Sequence, residues 1–183
     1  MNWTGATRKQ ADKRDNDDAF AIYGDTTILL DGAGNAQGKA ARALRTLRTP
    51  LPPLQQLAKQ LHTVLLGFGI EATFIGAQVT DKVLSGISIG NSLLYYVRDG
   101  KLQRINNATK TRLGSPSPEL SEYRVEMAKH DCILLASDGL TLDKYRLVET
   151  IKRNMLNPAP MAEAILQAQR DGSDDVTVVC RVM

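Results

Sequence analysis

Residues 27–41, TILLDGAGNAQGKAA, decide how this chain is read. Thr27, Ile28, Leu29 and Leu30 make a short apolar run of β character, and from Lys39 the pattern turns helical, so Asp31 stands at a strand end before a glycine-rich turn. Gly32, Gly34 and Gly38 admit close approach of backbone to a ligand, and Asp31 offers hard oxygen ligands to a cation. Two chemistries compete here. Residues 33–39, AGNAQGK, nearly match a phosphate-binding loop, but that pattern needs Ser or Thr after the lysine to hold magnesium, and Ala40 follows; Ala33 also replaces its first glycine. The other reading makes Asp31 one carboxylate of a metal site and requires further aspartates at strand ends.

Working outward, the chain supplies them. Residues 19–23 read as a strand, Gly24 and Asp25 as a tight turn, and residues 26–30 as an antiparallel second strand, which brings Asp18 and Asp31 to the same end of a hairpin. The run before it, RKQADKRDNDD at residues 8–18, reads as a solvated loop or strand edge. Downstream, residues 38–48 carry Ala40, Ala41, Leu44 and Leu47 at helical spacing, with Lys39, Arg42, Arg45 and Arg48 as a solvated face. Pro50, Pro52 and Pro53 separate this from a second amphipathic helix, ended by Gly67 and Gly69, in which His62 is structural or exposed. Residues 71–106 read as a β meander with a hairpin turn at Asp99-Gly100, residues 106–122 as a loop, and residues 123–127 and 132–136 as strands. The last of these ends in Ser137, Asp138 and Gly139. Asp143 suits a helix N-cap, a further helix carries Met161 and Ile165, and Asp174 and Asp175 directly precede a closing strand at residues 176–182.

Composition narrows the class. With 183 residues, 43% hydrophobic and 23% charged, the chain fits a single globular domain over residues 1–183. A net charge of +3 and 5% aromatic residues argue against nucleic acid as a partner. No apolar run reaches the length of a membrane span and the N-terminal stretch lacks a signal-peptide core, so a cytoplasmic protein is expected; a monomer is the separate expectation for its assembly. Cys132 and Cys180 sit inside apolar strand-like runs and read as buried free thiols.

Four acidic clusters, NDDAF, LLDGAG, LLASDG and SDDVTVV, follow one another in an order that resembles the metal-dependent protein phosphatase 2C family, over nearly the whole chain. A lone aspartate is most simply a cap or turn residue; four in the family's order are not explained that way. The resemblance implies an α+β sandwich of two antiparallel β-sheets flanked by helix pairs. It implies that Asp31 bridges two Mn2+ or Mg2+ ions, that the Gly32 carbonyl serves the second, that Asp138 and Asp174 bind one directly, and that Asp18 acts through water. Oxygen ligands suit such ions, and a water between them becomes a hydroxide able to attack phosphorus in line. The implied activity is hydrolysis of phosphoserine or phosphothreonine in a phosphorylated protein substrate.

The departures are equally specific. The family arginine that holds phosphate is replaced by Lys13, with Arg14 beside it and Arg8 as a third candidate, and Ala33 stands where animal members carry a histidine. Asn35 replaces a glycine, and Glu71, Ala72 and Thr73 stand where Gly-Thr-Thr is usual. Asn91 replaces an aspartate that helps to hold a third ion, which implies a weak or absent third site. The short segment between Ile105 and Tyr123 implies a truncated flap, as in the small stress-response and sporulation phosphatases of bacteria, which act in signalling. The alternative is a phosphatase-fold binding module that has lost effective catalysis, with a phosphate-loop nucleotidase as a minor third.

Overall fold

The computed structural model describes residues 2–34, 36–169 and 173–183. Asn35, read above as replacing a glycine, and residues 170–172 of the segment before the last strand lie outside them. Two five-stranded antiparallel sheets form the body. The first has the order β1-β10-β9-β6-β7, built from Thr4–Arg8, Val176–Val182, Cys132–Ala136, Leu93–Arg98 and Lys101–Arg104. The second has the order β2-β3-β4-β5-β8, built from Asp18–Tyr23, Thr26–Gly32, Ala72–Thr80, Val83–Ile89 and Ser121–Glu126.

Period-two alternation sets three apolar layers. Leu29 of β3, Ile75, Ala77 and Val79 of β4, Ile133 and Leu135 of β9 and Val179 of β10 face each other between the sheets. Their neighbours point outward, where helices cover them. Ile28, Leu30 and Phe74 meet α1 (Lys39–Leu44) and α2 (Leu54–Phe68), while Cys132, Leu134, Val178 and Cys180 meet α3 (Lys144–Asn154) and α4 (Met161–Ala168). The expected sandwich of two antiparallel sheets flanked by helix pairs is therefore present.

Local chemistry marks the element ends. Asp143 accepts the Arg146 N–H at 2.9 Å and caps α3 as expected. At the β6–β7 hairpin, Asp99 and Gly100 take φ of 50° and 73°, the paired positive angles that match the strands' twist. Tyr123 donates its buried phenol to the Gly76 carbonyl at 2.7 Å, in a space left open by Gly86, where a Cβ would run into both groups. Tyr123→Phe removes that hydrogen bond and is expected to cost about 0.5–1.5 kcal/mol in urea unfolding, with no change in the cavity described below.

Two expectations need correction, and one strand was not foreseen. Residues 71–106 are not one meander: β4 and β5 belong to the second sheet and β6 and β7 to the first, the chain crossing over at Gly90-Asn91-Ser92. The first helix stops at Leu44 rather than running to Arg48, because the Thr46 hydroxyl and N–H both donate to the Ala43 carbonyl and tighten the chain out of the α-helical path. Finally, β1 precedes the charged run and pairs with β10, although only Ala6 of its residues is buried.

The end of the sandwich away from Asp31 is fastened. Trp3 donates its indole N–H to the Asp25 carbonyl at 3.0 Å, and Arg181, reaching out of β10, pairs with the Asp25 carboxylate at 2.8 Å while lying over the Trp3 ring.

Candidate active site

The four acidic clusters meet at the other end. Asp18 opens β2 and Asp31 nearly closes β3, and the two are register partners in the second sheet. Asp138 follows β9, and Asp174 and Asp175 precede β10, its antiparallel neighbour in the first sheet. Asp18, Asp31, Gly32, Asp138, Asp174 and Asp175 line one cavity of about 290 Å³, together with Lys13 and Arg112.

Close backbone packing holds the two strand ends in place. A Cβ on Gly139 would collide with the Asp175 carbonyl oxygen, so only glycine lets the turn carrying Asp138 approach the residue after Asp174. Buried Gln169 clamps the same turn, donating to the Gly139 carbonyl at 2.8 Å and accepting the Thr141 N–H at 2.9 Å. On the other sheet, Gly32 donates its N–H to the Asp17 carbonyl, and the Ser92 hydroxyl, paired with Thr73, points to the Asp31 carboxylate at 3.5 Å.

Asp175 differs from its neighbours in role. It accepts the backbone N–H groups of Gln10 and Asp17 at 2.7 and 2.8 Å and the Lys13 ammonium at 3.0 Å. Burial pushes its carboxyl up, but these donors win and hold it below the usual range. It ties the charged loop before β2 to the first sheet. Lys13 also lies 3.4 Å from both Asp17 and Asp174. Burial lowers its ammonium, and Asp175 and Asp17 more than reverse that, so it stays charged. The run read as a solvated loop or strand edge has its ends in β1 and β2, and its middle is pinned onto the site.

Electrostatics ask for cations. Burial raises the Asp18 carboxyl to about 8, with the charge of Asp31 adding to the rise and the hydroxyls of Ser137 and Thr177 opposing it. Burial likewise raises Asp31 to about 7, with Asp138 and Asp174 contributing repulsion. The Asp18 Oδ2 atom is buried with no hydrogen-bond partner among the described residues. An orphaned carboxylate oxygen in an oxygen-lined cavity fits a hard divalent cation or its water. The carboxylates line the cavity without closing on one another: among the described residues no three His, Cys, Asp or Glu side chains gather tightly enough to hold an ion by themselves.

Other candidates fall elsewhere. Arg8 donates to the Leu166 and Gln169 carbonyls, and Arg14 lines an adjoining outer hollow rather than the cavity itself. Lys39 donates to the Phe68 carbonyl at the end of α2, so the phosphate-loop reading loses its lysine. Asn91 donates to Asp138 at 2.8 Å. The thiols of Cys132 and Cys180 are buried and free, and burial pushes Cys132 up to about 12, which leaves no thiolate nucleophile.

A family model described as Stage II sporulation protein E (SpoIIE) matches residues 32–181, most of the chain. The chain belongs to the SpoIIE family. A search of curated proteins gave no match. Solved structures add the fold. The PPM Ser-Thr phosphatase MsPP from Mycobacterium smegmatis, in complex with cacodylate, is 20% identical, with 98% of this chain and 97% of that chain covered and a TM-score of 0.81. The catalytic domain of the serine/threonine phosphatase PstP, in complex with two manganese ions, is 21% identical, with coverage of 98% and 96% and a TM-score of 0.78. RsbX in complex with magnesium is 14% identical, with coverage of 96% and 92% and a TM-score of 0.74.

In this SpoIIE family member, sequence reasoning gave no role to Thr73, which it named only by its motif place, and missed Ser92, Gln169 and Arg112. The first three act through others, orienting Asp31 or the Asp138 turn. Arg112 faces the cavity from the segment read only as a loop. No periodicity marks such positions, and only the packing reveals them.

Proposed function

We propose that this SpoIIE family member is a metal-dependent protein serine/threonine phosphatase acting on phosphoserine or phosphothreonine in a protein substrate in the cytoplasm. The observation that carries this is the convergence of Asp18 and Asp31 from one sheet with Asp138 and Asp174 from the other on one cavity, where the Asp18 Oδ2 atom lacks a partner. Asp31 and the Gly32 carbonyl, with Asp138 and Asp174, would hold two manganese or magnesium ions, and Asp18 would hold a water of their shell. When bound, such ions supply an activated water and neutralise charge on the phosphoryl group. The protein's own contribution is positioning. Ser92 and Thr73 fix Asp31, Gln169 and Gly139 fix Asp138, and Asp175 fixes Lys13 at the cavity wall. Ala33 brings no proton donor to the leaving oxygen, so that proton comes from solvent. Among the described residues no helix is long and apolar enough to cross a membrane.

The test is phosphate release from p-nitrophenyl phosphate and from a phosphothreonine peptide with manganese, magnesium or chelator. Release that requires the metal supports the proposal. Absence of release on both substrates, with no manganese uptake by calorimetry, overturns it in favour of a binding module.

Asn91 gives a second handle. Its amide bonds Asp138 at 2.8 Å, and a neutral amide is a poor cation ligand. Asn91→Asp adds a carboxylate there, and the manganese concentration for half-maximal phosphate release is expected to fall by about threefold to tenfold. An unchanged manganese requirement would show that this position lies outside the ion shell.

A further inference from the structure

Lys13, one of the two cations lining the cavity, is already committed: it is shared among Asp17, Asp174 and Asp175. Two divalent ions and Lys13 would together only balance Asp18, Asp31, Asp138, Asp174 and Asp175, the carboxylates that line the cavity. A phosphoryl dianion therefore needs a further positive group. Arg112 lines the same cavity, and among the described residues its guanidinium has no hydrogen bond or ion pair.

Arg112 is not carried by a slack loop. Its neighbour Leu113 is buried and exchanges both backbone hydrogen bonds with Ala72, the first residue of β4, at 2.9 and 3.0 Å. Gly114 donates its N–H to His62 Nδ1 on α2 at 3.1 Å and takes a φ of 87° with no room for a Cβ beside the Ile70 carbonyl. Ser115 donates its hydroxyl to the Arg112 carbonyl at 2.7 Å. The backbone of Arg112 is thus fixed against both a sheet and a helix, and its guanidinium, a planar fork of N–H donors, suits phosphate oxygens taken in pairs.

We propose that Arg112, from the shortened segment between β7 and β8, is the residue that binds the substrate phosphoryl group, in the place left by a lysine held among carboxylates. This rests on the phosphatase reading above. The segment that replaces a flap is then part of the binding site itself.

The experiment uses the whole chain with manganese and a fluorescent peptide bearing a non-hydrolysable phosphonate analogue of phosphothreonine, followed by anisotropy. Arg112→Ala is expected to raise the dissociation constant by about tenfold to a hundredfold. Arg112→Lys, which keeps the charge without the fork, is expected to recover part of the loss, while melting temperature and manganese titration stay as in the parent. With the phosphothreonine peptide itself, the effect should appear mainly in KM. Equal binding of the phosphonate peptide by the parent and Arg112→Ala overturns this inference alone. Failure of the parent to bind the phosphonate overturns the inference, and absence of release from both substrates with no manganese uptake overturns the phosphatase reading with it. A melting temperature that drops in Arg112→Ala and does not recover in Arg112→Lys would assign the residue to the fold instead.

Discussion

Asp31→Ala should lose manganese-dependent phosphate release by about a thousandfold or more, because Asp31 is the carboxylate proposed to hold both ions, and those ions would supply the activated water. Calorimetry on the same variant should show manganese binding weakened in step. The same residue makes a stability prediction of unusual sign. A carboxyl raised in the folded protein keeps its proton at a pH where the unfolded chain has released it. The folded state then binds more protons, and stability falls as pH rises. Asp18 and Asp31 are both raised, to about 8 and about 7, so with chelator present the melting temperature should decline from pH 5 to pH 8.5. Asp31→Asn should flatten that decline, and saturating manganese should reverse it in the parent. A melting temperature with chelator that does not change over this range would show that the two carboxylates are not driven together as described.

The second large effect is expected at Gly139. A Cβ there has no room against the Asp175 carbonyl oxygen, and its carbon lies 3.1 Å away, so neither side yields without moving the start of β10. Gly139→Ala should cost about 1–3 kcal/mol by urea unfolding and should weaken manganese binding as well, since Asp138 and Asp174 flank the displaced contact. Gly67→Ala is the matched comparison. It sits within α2 with open space around it, and alanine there should stabilise by about 0.5–1 kcal/mol while leaving metal binding alone. If Gly139→Ala unfolds like the parent, the close approach does not position the site.

How much of this was legible in the residues differs by kind of information. The pairing of Asp18 with Asp31 was, because a two-residue turn at Gly24-Asp25 fixes the register of the hairpin. The Asp143 cap and the Asp99-Gly100 turn were too, since their chemistry is local. The division of residues 71–106 between two sheets was not: alternation shows which faces are apolar but not which strand lies alongside. Strand β1 escaped notice because TGATR has almost no apolar alternation and takes its order from pairing with β10. At the site, the aspartates stood out by their position at strand ends and Lys13 through the resemblance alone, with its carboxylate partners unforeseen, whereas Arg112 was hidden in a loop. The placement of these two cations depends on contacts with residues more than a hundred positions away in one case, and on α2 and β4 in the other.

The Trp3–Asp25–Arg181 contact has a mechanical meaning. It binds the two sheets at the end remote from the carboxylates, beside a second tie in which Arg98 of β6 donates to the Glu126 carbonyl of β8 at 2.9 Å. The carboxylate end is fastened too, by the Asp17 N–H on Asp175 and by the crossover whose Asn91 and Ser92 reach Asp138 and Asp31. A pair of plates fastened at both edges resists spreading at either. Cargo would enter a slot whose width is set before it arrives.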